Sequence, residues 1–285
     1  MRLLLTVGAV ASFMASQAVA FEAAHLEQLR ATGSCEQCDL SGVGLVGQQF
    51  PKANLMHVNL READLKNTDL SGSNLKNADL RRANMEKAQL ADTILEGARL
   101  AGTDLEKAVL TDANLLRADL RDADLGKADL RRAILRDADL RGALMKRVNL
   151  RDAQMVRARL ESVKLERSDL SNVKANRADF NQGDLDRVRF INADLRNANF
   201  SDSRLERADF TGADLTDAIL TAANLRRANF SGANLTDARG LRQDRLDVAC
   251  GNAETKLPKG FTLKECSAEE EEPVDEAGPE VGPES

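Results

Sequence analysis

The chain has no tryptophan and no tyrosine, and aromatic residues make up only 3% of its 285 positions. An ordinary globular core takes much of its bulk from aromatic rings. This core must be filled by something smaller and more uniform, and leucine and alanine are the candidates. Histidine occurs twice, at His25 and His57, in unrelated settings. Neither pairs with a cysteine or serine in a nucleophile motif. No glycine-rich phosphate loop and no calcium-loop pattern occur. The sequence therefore offers no catalytic constellation, no metal site and no cofactor site.

Charge of one sign is scarce in most of the chain. The net charge is −6, yet Glu269 to Glu284 holds eight acids and no base. That stretch, within residues 267–285, reads as a disordered acidic tail. The remainder is close to neutral. Long apolar runs are limited to the start, where Arg2 precedes the segment Leu3 to Val19 and Ala18-Val19-Ala20 fits a small-x-small cleavage pattern. Residues 1–20 thus read as a secretory signal peptide cleaved before Phe21. The expected location is periplasmic or secreted, with no stable membrane insertion once the peptide is removed. That setting permits disulfides.

What the chain does have is a repeat. From Leu40 to Leu235 every fifth position is apolar without a register break, giving 40 consecutive units. Two residues before each centre sits a small residue (Ala53, Ala63, Thr68, Ser73, Ala78), with Gln48 the early exception and valines such as Val58 and Val148 the largest of the others. Between them Asp or Asn dominates (Asp64, Asp69, Asn74, Asp79). The consensus is A-(D/N)-L-x-x. A helix does not suit it, because five residues advance a helix by about 500° and would scatter the leucines around its axis. Period 2 does suit it. The small residue and the leucine share one side of a short strand, the Asp/Asn points to the other, and two residues make a corner. One such unit buries nothing by itself, but stacked coils do.

Ala118-Asp119-Leu120-Arg121-Asp122 and Ala123-Asp124-Leu125-Gly126-Lys127 are near-ideal units. In them the chain resembles the pentapeptide-repeat family over about 200 residues. The resemblance implies an all-β fold, a right-handed quadrilateral parallel β-helix with four units per coil. Forty units then make about ten coils, a rod of roughly 50 Å at the spacing of paired strands. The late phenylalanines agree with a 20-residue coil. Phe180 and Phe200 would stack on one face, and Phe190, Phe210 and Phe230 on the opposite one.

Both ends of a solenoid need covering. Residues 21–37 are expected to form an N-terminal cap with a short helix stopped at Gly33. Residues 38–238 are the β-helix. Residues 239–266 are a C-terminal cap, with a second short helix over Leu241 to Gly251. Cys35 and Cys38 would lie at one end of the rod, Cys250 and Cys266 at the other. Bridged Cα atoms lie within about 7 Å, so the expected disulfides are Cys35–Cys38 and Cys250–Cys266.

Two outer features suggest contacts. Residues 117–159 hold 12 Arg or Lys and seven Asp. This basic middle includes Arg131, Arg132, Arg136, Arg141, Lys146, Arg147 and Arg151, and it would attract an anionic polymer. Met56, Ile94, Leu116, Ile134 and Val156 form a sparse apolar stripe on one face, suited to a partner or a homodimer. The lack of outward aromatics counts against nucleic acid. The expected function is a non-enzymatic interaction scaffold of the cell envelope, binding an unknown protein or envelope polymer. The resemblance implies an alternative, because some family members mimic DNA and bind gyrase, giving quinolone resistance. The signal peptide and the near-neutral body both count against it here.

Overall fold

A computed structural model describes residues 23–267. The expected signal peptide and all but the first residue of the acidic tail lie outside the described residues. Helix α1, Ala23–Thr32, opens the described chain. Leu26 and Leu29 are buried against the first coil, whereas Ala23 is exposed. Gly33, at φ +66°, ends the helix and its N–H closes on the Leu29 carbonyl at 2.9 Å. Glycine suits that left-handed position because it has no Cβ to clash.

From Ser34 onward the chain is a β-helix built of single parallel bridges. Each bridge joins a residue to the one twenty positions later, from Ser34↔Asn54 through Ile219↔Arg239. Twenty residues are four pentapeptides, so the outer positions fall into four columns, called here by their members Asn114, Asp119, Asp124 and Asp129.

The unit around Leu115 shows why the sequence takes this form. The Leu115 N–H donates to the Ile134 carbonyl of the next coil at 2.8 Å, and the Arg117 N–H donates to the Arg136 carbonyl at 3.0 Å. The Asn114 N–H donates to the Thr93 carbonyl of the previous coil at 2.9 Å. The corner closes when the Ala118 N–H donates to the Leu115 carbonyl at 3.0 Å. One donor is left, the Leu116 N–H, and the Asn114 side-chain Oδ1 accepts it at 3.1 Å. All five backbone donors are satisfied, as a buried or half-buried backbone requires. The preference for Asp or Asn before each centre follows, since these side chains reach the N–H two residues on. Gly126 makes the same bond to Asp124 at 2.9 Å.

The second corner residue carries the conformational cost. It is left-handed at every corner from Gln37 to Asp237, at φ between 55° and 69°. A residue other than glycine gives up about 1–2 kcal/mol in that region, with Asn and Asp the best tolerated.

The interior repeats with equal regularity. Centres and the residues two before them are buried along the rod, including Leu120, Leu125, Ala118 and Ala123, except in the early unit of Gln48 and Phe50, which are half-buried. Buried hydroxyls at the small position donate to backbone carbonyls, Thr68 Oγ1 to Leu45 at 2.8 Å and Ser168 Oγ to Met145 at 2.7 Å in the coil below, and Ser203 Oγ to Phe200 of its own coil at 2.7 Å. Phe180 stacks on Phe200 at 4.9 Å, and Phe210 stacks on Phe190 at 5.2 Å and on Phe230 at 5.0 Å. The two stacks meet edge to face, Phe180 and Phe190 at 5.7 Å and 79°. Both arrangements suit the ring quadrupole.

The C-terminal cap departs from expectation. In place of a helix over Leu241 to Gly251, α2 is one turn, Gln243–Leu246. The chain must return to the stack. Cys250 bridges Asn229, and the Phe230 N–H donates to the Cys250 carbonyl at 2.8 Å. Strand β1, Cys250–Gly251, then pairs in parallel with β2, Lys264–Glu265, so the cap gives the last coil a partner edge. Cys35–Cys38 and Cys250–Cys266 are both bonded, with Cα separations of 5.4 and 4.8 Å.

Leu120 lies in the middle of the stack with no exposed surface. Leu120→Ala is expected to lower unfolding free energy by about 2–5 kcal/mol, because neighbouring coils cannot close the cavity without breaking register. Urea denaturation of the two chains measures the difference, and a shift below about 1 kcal/mol would contradict the rigid stack.

Candidate interaction surface

Function must lie on the outer columns or the ends. The structure distributes the basic middle around the whole rod. Arg131, Arg132 and Arg151 stand on the Asp129 side, Arg136 on the Asn114 side, Arg141 on the Asp119 side, and Lys146 and Arg147 on the Asp124 side. Most have acidic neighbours. Arg131 grips Asp129 with Nη2 to Oδ2 at 2.6 Å, Arg132 Nε reaches Asp112 at 2.8 Å, and Arg141 Nε reaches Asp139 at 2.8 Å. Lys146 meets Glu166 at 2.8 Å and Arg151 meets Asp169 at 3.1 Å. Excess charge counted along the chain therefore does not collect into one patch.

The apolar stripe does share one face. Ile94, Leu116, Ile134 and Val156 occupy four successive coils and cross from one edge of the face to the other at each step. Ile94 is 39% exposed, and the other three are half-buried beside their neighbours. Met56 is cut off from them by Lys76 and Glu96, which pair at 3.1 Å. Leu144, on the Asp124 column, is 44% exposed and stands outside the stripe.

Counting by fives and by windows missed one column. The left-handed corner residues that follow the Asp124 column are Gly47, Asn67, Lys87, Lys107, Lys127, Arg147, Arg167, Arg187, Arg207 and Arg227. Eight consecutive coils present a cation at one corner. A count at period 20 would have found it.

Electrostatics elsewhere on the rod are local. The Arg121 guanidinium holds Asp119 with two hydrogen bonds of 2.7 Å and keeps its carboxyl below the usual carboxylate range. Arg196 does the same for Asp194 with two bonds of 2.8 Å. Both folded values are depressed, so the stability they contribute is present above the unfolded value near 4 and is lost as pH falls through the folded values. Urea midpoints should be steady between about pH 7 and 5 and fall below about pH 4. A midpoint unchanged down to about pH 2 would contradict these ion pairs.

The family model of pentapeptide repeats (8 copies) matches the chain in ten overlapping segments running from residue 38 to residue 239. Among solved structures, the chain is similar to HetL, a pentapeptide repeat protein involved in heterocyst differentiation regulation in the cyanobacterium Nostoc sp. strain PCC 7120. Identity is 28%, the match covers 73% of this chain and 94% of HetL, and the TM-score is 0.46. Rfr23 from the cyanobacterium Cyanothece 51142 is 28% identical over 42% of this chain and 92% of its own, with a TM-score of 0.30. QnrB1, a plasmid-mediated fluoroquinolone resistance protein, is 12% identical over 77% of this chain and 88% of its own, with a TM-score of 0.34. No curated protein matches the chain. The repeat match spans most of the sequence, over the residues that form the bridged coils, and the chain belongs to the pentapeptide-repeat family.

Proposed function

We propose that this protein is a non-enzymatic interaction scaffold of the cell envelope, a right-handed four-sided rod of about ten coils that binds through its outer columns. The observation that carries the reading is the uninterrupted run of bridges from Ser34 to Arg239, in which backbone and core are spent on rigidity. What varies from coil to coil faces outward. Two shallow depressions lie on the described part of the rod. One, of about 430 Å³, lies where α1 meets the first coils and is lined by residues such as Arg30, Gln48 and Phe50. The other, of about 340 Å³, is lined by Arg157, Asn176, Arg177 and their neighbours. Neither lining contains an Asp, Glu, His, Ser or Cys to act as acid, base or nucleophile. His25 serves the cap, its Nδ1 accepting the Asp39 N–H at 3.1 Å.

The envelope part rests on the leader-like residues 1–20 and on the two disulfides, which persist in oxidising compartments. Gyrase binding in the manner of DNA mimics is the rival. A near-neutral rod and an export signal both weigh against it.

Fractionation of cells expressing the native gene, with intact mass of the purified product, tests the proposal. A periplasmic chain beginning at Phe21, lighter than the reduced chain by the four hydrogens of two disulfides, is expected. A full-length, reduced, cytoplasmic product would overturn the envelope reading and favour the gyrase one.

A further inference from the structure

The cation column at the corner after Asp124 is unusual in three respects. First, its backbone disfavours the residues it carries. All eight positions are left-handed, at φ 56–59°, where Gly, Asn and Asp fit best. The other three corners follow that preference more closely and carry a cation at only six of 31 positions. A run of eight at that frequency is not a chance outcome.

Second, the spacing is regular. Successive coils lie about 4.8 Å apart, so eight cations form a straight row of roughly 34 Å. Third, the row keeps an excess of charge. The neighbouring column carries acids beside some of it, with Lys107 meeting Glu106 at 3.0 Å and Arg187 meeting Asp186 at 4.0 Å. Arg167, Arg207 and Arg227 make no ion pair among the described residues. Lys127 reaches Glu106 of the previous coil at 3.6 Å, and beside Arg147 the neighbouring column carries Lys146. Counted together over these eight coils, the two columns hold ten cations and five carboxylates. The Lys107 and Lys127 pairs with Glu106 are solvent-exposed, and such pairs are weak enough for a competing anion to replace.

The geometry points to a binding site for an extended acidic polysaccharide, a polyuronate with one carboxylate on each sugar, lying along this corner. This rests on the envelope-scaffold reading and gives it a ligand class. A straight row of evenly spaced cations meets an extended polymer at every coil. It meets a helically wound duplex only where one strand faces it. The chain has no Trp or Tyr, and the late phenylalanines Phe180 to Phe230, which lie in the coils of this row, are buried, so unstacked bases have no platform beside it.

The test is calorimetric titration of the disulfide-intact chain with a polyuronate of defined length, and with a single-stranded DNA of equal charge. The decisive variant is Lys127→Asn/Arg147→Asn/Arg167→Asn. Asparagine tolerates the left-handed corner, so the thermal midpoint should hold and the loss reads binding alone. The control is Arg82→Asn/Arg117→Asn/Arg177→Asn, which removes the same charge from other corners. We expect the row variant to bind polyuronate about tenfold or more weakly, with a shallower salt dependence, and the control to stay within about twofold. Equal losses in both variants, or no binding by the parent chain, would overturn the site. Tighter binding of the DNA would overturn the ligand class. A periplasmic chain that fails to bind polyuronate loses only this assignment, whereas a cytoplasmic chain that binds it loses only the envelope reading.

Discussion

Hydrogen bonds between a residue and its counterpart twenty positions later set everything else in this molecule. They fix which side chains stack, because each column repeats the same position of the unit. They also fix the corner, since the chain must turn after every centre to arrive in register. The left-handed second corner residue and the Asp or Asn before the centre are two answers to that one demand. The first turns the chain, and the second satisfies the N–H that the turn exposes. Neither needs a partner in the core, so the outer columns are left to vary.

The same constraint explains the composition. A coil of four short units has room for one leucine-sized group and one small group per unit. Tryptophan would demand that neighbouring coils move apart, and overpacking of that kind costs stability. Five phenylalanines gather in the late coils, where they stack through successive coils and meet edge to face, whereas Phe50, the one early example among the centres, is only partly buried. Ala175 stands at a centre in that region. A small centre there leaves space beside the rings, which are the largest side chains in the core.

Much of this was legible in the residues. The run from Leu40 to Leu235 names the core positions, and the phenylalanine spacing by itself points to a 20-residue coil. The N-terminal helix also reads from Leu26, Leu29 and Gly33. The C-terminal cap did not, because Leu241 to Gly251 looks helical when only local propensity is weighed. The demand that Cys250 return to pair with Asn229 is a tertiary one, and it reduces the helix to a single turn. Local preference yields there because an open coil edge leaves a row of backbone groups unpaired, which costs more than a short helix returns.

The surface misled for a different reason. Charge counted in a window along the chain mixes residues that the fold sends to four sides. That is why the basic middle scattered when Arg131, Arg136, Arg141 and Lys146 were placed. In a solenoid, neighbours in space are residues twenty apart, and residues five apart face different directions. The proper unit of charge patterning is therefore the column. Lys87 and Arg227 are 140 residues apart in sequence, yet they end the same straight row. Each cation in that row keeps a strained backbone that glycine or asparagine would relax, as they do at other corners. A cost repeated at eight successive coils is what selection for an outward contact would leave behind.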